Sequence, residues 1–165
     1  MKNLVVFYSL EGSTKLIANA MARRLNADIL ELIPEKNYCN SGFKKFFWGG
    51  KSVLFKEKPK LKNIDIDIEK YENIFIGTPI WVGTYAPPFN TFLDTYNIKN
   101  KNIGLFACHG GGGASKFFKI IKKEIPNNNF IGEIDFLEPI KNNKEENIEK
   151  AIKWIDEILV QRYLK

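Results

Sequence analysis

A chain of 165 residues, 44% hydrophobic and 27% charged, has the makeup of a globular domain and excludes a disordered chain. No apolar run approaches the ~20 residues of a membrane-spanning helix, and two cysteines, Cys39 and Cys108, cannot frame a disulfide scaffold. The net charge of +6 resides in one stretch, because residues 43–62 hold seven lysines against the single acid Glu57 and the remainder is balanced.

Residues 4–8 (Leu-Val-Val-Phe-Tyr) are continuously apolar and read as a buried central strand. They are too short for the core of a signal peptide and no cleavage site follows, so a single domain over 1–165 in the reducing cytoplasm is expected. After a polar turn, residues from Lys15 onward form a helix with Leu16, Ile17, Ala20, Met21 and Leu25 on its apolar face. Residues 27–33 form a second strand ended by Pro34. Residues 35–67, which include the basic, aromatic segment 38–62, are the least regular stretch. Within it, 43–55 reads as a short helix broken at Gly49-Gly50, with its aromatics pinned and its lysines solvated. Nucleic-acid binding is the weaker reading of that pattern.

Residues 71–77 contain a third strand, and 78–88 a long loop with three prolines. A helix at 89–96 precedes a fourth strand at 102–108 and the run Gly110 to Gly113. Residues 115–125 are amphipathic, 130–137 form a fifth strand, and 143–164 a last helix with Ile148, Ala151, Ile152, Ile155, Leu159 and Tyr163 on one face. Alternating strands and helices imply a parallel sheet with helices on both faces, and ligands bind beyond the carboxyl ends of such strands.

Three loops at that edge are unusual. Ser9, Leu10, Glu11, Gly12, Ser13 and Thr14 run into a helix N-terminus. They read either as a phosphate cradle or as a plain N-cap supplied by Ser13 or Thr14. The G-x-x-x-x-G-K-[ST] and G-x-G-x-x-G spacings are both absent. Trp81 and Tyr85 in the second loop are candidates to stack on a planar ring, and for Trp81 the alternative is packing over the sheet edge. The glycine run after Cys108 and His109 needs positive φ or a close backbone approach. Cys108 and His109 point to opposite sides of a strand end, so a thiolate–imidazole pair is not expected, and Cys108 reads as a small buried hydrophobe. With one histidine there is no histidine metal cluster.

The segments Phe7-Tyr8-Ser9-Leu10-Glu11-Gly12-Ser13-Thr14, Gly77-Thr78-Pro79-Ile80-Trp81-Val82-Gly83-Thr84-Tyr85-Ala86-Pro87-Pro88 and Phe106-Ala107-Cys108-His109-Gly110-Gly111-Gly112-Gly113 together resemble the flavodoxin family, over almost the whole chain. The resemblance implies a doubly wound α/β fold with a five-stranded parallel sheet in the order 2-1-3-4-5, and FMN as cofactor. It places the FMN phosphate on Ser9 to Thr14. The isoalloxazine would lie beside Thr78, Pro79, Ile80, Trp81, Val82 and Gly83, with its pyrimidine edge at Cys108, His109, Gly110, Gly111 and Gly112. Glu11 stands where the family usually carries Thr or Ser, which removes a hydroxyl and adds a negative charge. The basic balance also departs from the acidic electron carriers of the family. The expected function is electron transfer through FMN to a redox partner protein, an acidic one if the lysine segment docks it. Alternatives are an FMN-dependent NAD(P)H oxidoreductase acting on quinones, and a flavin-free module for an acidic partner.

Overall fold

Short apolar runs separated by amphipathic stretches leave one economical solution, strands side by side with helices covering both faces. The computed structural model describes residues 2–36 and 56–163. Its strands are β1 (Asn3–Phe7), β2 (Asp28–Glu31), β3 (Asn73–Pro79), β4 (Asn102–His109) and β5 (Asn129–Leu137). Its helices are α1 (Ser13–Leu25), α2 (Pro88–Thr95), α3 (Ser115–Glu124) and α4 (Lys144–Tyr163), with a single 3-10 turn at Ile68–Lys70. Every strand pairing is parallel, as the alternation of strands and helices implies, and the order is β2-β1-β3-β4-β5, as the family resemblance implies. The order reverses between β1 and β3, so the crevice for a ligand opens at their carboxyl ends.

The period of two along each strand divides the core. Val5, Phe7, Phe75, Phe106, Cys108 and Phe136 face α1 and α4. Leu4, Val6, Ile74, Ile76, Ile103, Leu105 and Ala107 face α2 and α3, meeting Phe89, Phe92, Phe117 and Ile121. Two helical stripes differ from the expected ones. On α1, Ala18 and Ala22 are buried with Ile17, Met21 and Leu25, while Leu16 and Ala20 are only partly covered. On α4 the buried residues among those described are Ala151, Ile155 and Ile158, with Leu159 partly buried against them, and the expected Tyr163 side chain lies outside the description. Trp154 joins that face, edge-on to Phe75 with ring centroids 6.0 Å apart, while Ile152 is only partly covered.

The amino end of the sheet carries a row of asparagines in register, Asn3, Asn73, Asn102 and Asn129. Each side-chain amide donates to the carbonyl oxygen of the preceding one, at 2.7 Å (Asn73 to Asn3), 3.0 Å (Asn102 to Asn73) and 2.9 Å (Asn129 to Asn102). Asn3 in turn donates to the Leu25 carbonyl at 2.9 Å, which anchors the row to the end of α1.

The second strand is shorter than expected. Beyond Leu32, whose N–H still donates to the Phe7 carbonyl of β1, the chain makes a local antiparallel contact, in which Glu35 N–H donates to the Lys60 carbonyl and Lys62 N–H to the Ile33 carbonyl. The expected helix at 43–55 and Cys39 lie outside the described residues. The described end of the basic segment is strapped across α2. There Asn90 donates to the Glu57 carbonyl, Thr91 to the Pro59 carbonyl, and Lys58 pairs with Asp94 at 2.8 Å.

Candidate functional site

The first loop turns sharply at the end of β1. Ser9 Oγ accepts from Gly12 N–H at 3.2 Å, and Gly12 is the N-cap of α1 with φ 91°. No side chain caps the helix, so neither Ser13 nor Thr14 supplies the plain N-cap. The first-turn amides, which have no partner within the helix, face the loop. The Thr14 hydroxyl is buried and has no hydrogen bond of good geometry among the described residues, with the Cys108 thiol as the group beside it.

The second loop is tighter than the long loop expected over 78–88. β3 continues to Pro79, and Trp81 and Thr84 exchange two backbone hydrogen bonds, 2.9 and 3.0 Å. Val82 (φ 50°) and Gly83 (φ 76°) are the central pair of this two-residue hairpin, and positive φ at both positions defines a type I′ turn. A β-branched residue held there stores roughly 1–3 kcal/mol of backbone strain. Ile80 N–H donates to the Cys108 carbonyl at 2.8 Å and ties this loop to the end of β4. Thr78 is fully buried behind the loop, where its hydroxyl accepts from Ala86 N–H and donates to the Pro79 carbonyl, both at 3.0 Å.

The two candidate aromatics diverge. Trp81 stands edge-on to Tyr8, with centroids 5.7 Å apart and planes at 87°, and lines the crevice. Tyr85 turns into the core against Phe89 and Phe117, and its hydroxyl donates to the Glu124 carboxylate at 2.7 Å. Burial, then the Glu124 carboxylate, pushes the Tyr85 phenol well above its ordinary range. Tyr85 therefore corrects the sequence reading. With two aromatic neighbours and one fixed acceptor, packing wins over exposure to a ligand.

At the end of β4, Cys108 and His109 part as expected. Cys108 faces the α1/α4 core, where burial pushes its thiol up to about 12. His109 turns the other way. Its Nδ1 accepts from Gly111 N–H at 3.2 Å and its Nε2 lies 3.5 Å from Asp135 Oδ2. Asp135 also accepts from Ala114 N–H at 3.2 Å, closing the glycine loop from both ends. Gly111, Gly112 and Gly113 all have φ between 71° and 136°, the region that a side chain disfavours.

These loops enclose a cavity of about 380 Å³, within the range of small-molecule sites. The first loop contributes Ser9, Leu10, Glu11, Ser13 and Thr14, the second Pro79, Ile80 and Trp81, and the third Cys108, His109 and Gly110. Gly12 lies under the side chain of Ile140, Val82 and Gly83 sit at the exposed hairpin tip, and Gly111 and Gly112 are exposed beyond the rim. A fourth wall was not read from the sequence. Glu138, Ile140 and Lys141, from the turn between β5 and α4, close one side of the cavity. The only signal for it was Glu138-Pro139 breaking the pattern after a strand, which marks a turn but not where it folds.

No curated relative matches the chain. Solved structures of similar fold include a protein of Bacteroides eggerthii assigned as a flavoprotein, 23% identical with a TM-score of 0.76, covering 96% of this chain and 98% of its own. The flavoprotein of Lactobacillus acidophilus, solved in complex with FMN, is 21% identical with a TM-score of 0.70, over 88% and 98% of the two chains. The oxidised flavodoxin 2 of Bacillus cereus is 15% identical with a TM-score of 0.61, over 98% and 99%. The flavodoxin sequence pattern itself matches residues 2–158. With that match over nearly its whole length, joined to the strand order and the crevice at the β1/β3 reversal, the chain belongs to the flavodoxin family.

Proposed function

We propose that this chain binds FMN in the four-walled cavity and serves as an electron carrier. The observation that carries the reading is the N-terminus of α1, which no side chain caps, beside the buried Thr14 hydroxyl, which has no hydrogen bond of good geometry among the described residues. Backbone donors and a lone hydroxyl at a helix N-terminus are suited to a phosphate monoester. Ser9, Ser13 and Thr14 would hold that phosphate, while Ile80 and Trp81 give an apolar wall for a flat ring system. FMN supplies one- or two-electron redox chemistry when bound. The polypeptide anchors it, limits water at its face and sets its potentials through the loop backbones.

Among the described residues no helix is long and apolar enough to cross a membrane. The partner in this reading is a redox protein with an acidic face, met in the cytoplasm. Support comes from the exposed Lys56, Lys60 and Lys62, which form no ion pair among the described residues. The test is an absorption spectrum of the purified protein, followed by anaerobic NAD(P)H. A bound-flavin spectrum unchanged by NAD(P)H supports the carrier. Rapid bleaching would favour the oxidoreductase, and failure to bind added FMN would overturn both.

A further inference from the structure

The loop after β4 holds Gly111, Gly112 and Gly113 at positive φ, yet packing does not hold it in that shape. A Cβ placed on Gly111 or Gly112 would meet nothing within 4 Å among the described residues. Such a loop loses much chain entropy on ordering, so its shape needs fixed partners. Two are present. Gly111 N–H donates to His109 Nδ1 at 3.2 Å, and Ala114 N–H donates to Asp135 Oδ2 at 3.2 Å. The two acceptors are themselves neighbours, with His109 Nε2 3.5 Å from the same Asp135 oxygen. Both belong to the sheet. His109 ends β4, where its carbonyl accepts from Glu138 N–H at 2.9 Å, and Asp135 lies in β5. A pair rooted in strands thus grips both ends of an unpacked loop.

An imidazole nitrogen that accepts from an N–H carries no proton, so the neutral ring holds its proton on Nε2, toward Asp135. A second proton would go to Nδ1 and leave no lone pair for Gly111 N–H. Protonation therefore exchanges the loop hydrogen bond for an ion pair with Asp135. Among the described residues, Asp135 of β5 faces the ring, and Glu11, Glu138 and Lys141 share the cavity wall with it. Lys116 of α3 lies against Gly83, and Cys108 turns to the other face of the sheet. The exchange does not rest on the sum of these charges, because it follows from the valence of Nδ1. We propose that His109 is a positioning residue whose neutral Nε2–H form locks the glycine loop in the shape that receives the ring edge of a flavin, and whose protonation unlocks it. The inference rests on the FMN reading above and concerns the ring end of the site rather than its phosphate end.

Because the chain has one histidine, every imidazole signal of the untagged, full-length protein belongs to His109. Nitrogen NMR of the flavin-free protein should show the Nε2–H tautomer while the ring is neutral. On acidification the Gly111 amide should shift and exchange faster as the ring titrates. Riboflavin is the binding probe, since a phosphate monoester titrates on its own account at about pH 6. Its affinity in fluorescence titrations should fall about three- to tenfold from about pH 8 to about pH 5, the scale of one neutral hydrogen bond. His109→Leu should bind at the weakened level throughout. His109→Asn should recover most of what Leu loses, because an Asn oxygen accepts from the N–H two residues on, and its pH profile should be flat. A neutral ring with its proton on Nδ1, a Gly111 amide indifferent to the titration, or a wild-type pH profile that His109→Asn reproduces would overturn the proposal with flavin binding intact. Wild-type protein that binds neither riboflavin nor FMN while the ring is neutral would instead overturn the flavin reading, and the NMR titration would still decide the loop clamp.

Discussion

Replacing Thr14 by Val removes one oxygen and adds nothing of different shape, so its two consequences can be signed in advance. In the flavin-free protein the Thr14 hydroxyl is buried without a good hydrogen bond. Such a group costs roughly 1–3 kcal/mol, and exchanging it for a methyl recovers part of that. Thr and Val have nearly equal helix propensities, so α1 itself is indifferent to the change. A gain of about 1 kcal/mol is expected, which raises the flavin-free melting temperature by about 2–4 °C for a chain of this size. In the loaded protein the same hydroxyl would donate to a charged phosphate, a bond of about 1.5–3 kcal/mol. FMN should therefore bind about 10- to 100-fold more weakly while riboflavin is little affected. Stability and FMN affinity move in opposite directions, which a damaged fold cannot imitate. Calorimetry of the flavin-free protein and paired flavin titrations read the two effects. A fall in melting temperature would show that the Cys108 thiol is a true partner of Thr14 and refute the argument at its first step. Equal losses for FMN and riboflavin would refute the second.

Gly83→Ala meets only an ordinary contact, 3.5 Å to the Lys116 stem, so its cost is the left-handed conformation, about 1–2 kcal/mol. Oxidised FMN should remain bound while the separation of the two one-electron potentials shifts, and a redox titration with unchanged potentials would remove Gly83 from that role. Replacing Lys56, Lys58, Lys60 and Lys62 by Gln should slow electron transfer to an acidic carrier through the on-rate and flatten its salt dependence, with FMN binding preserved. Identical salt profiles for the two proteins would leave the lysines only a solubility role. The raised Cys108 thiol makes stability full below pH 9 and diminishing between pH 9 and about 12, because the unfolded chain releases that proton first. Denaturant titrations across this range should show a shallower decline in Cys108→Ala, and equal slopes would exclude the thiol as their source.

The sheet was legible because Leu4 to Tyr8, Ile74 to Ile76 and Ile103 to Ala107 are apolar on both faces of a strand, a pattern that few other structures need. The carboxyl-edge loops were legible through glycines and prolines, whose backbone demands are local. What escaped depended on distant neighbours. Tyr85 could be assigned to the core only once Glu124 and Phe117 were known to stand beside it. The same holds for the turn between β5 and α4, whose place in the cavity wall is seen only once Ile140 is found lying over Gly12. That neither Ser13 nor Thr14 caps α1 was not legible either, because it depends on Gly12 occupying the N-cap position.

The asparagine row at the amino end of the sheet separates two duties along the strand axis. A one-residue slip of any of these parallel strands would carry an amide into the apolar layer and leave its neighbour without a partner. The row thus acts as a vernier that is read once, during assembly, across sequence separations of 70, 29 and 27 residues. Register errors are penalised far from the crevice. The opposite end is consequently free to carry a turn with Val82 in a costly conformation and a buried hydroxyl without a good partner. Transient opening should begin at that end, where exchange of backbone amides would be fastest and where a ligand must enter.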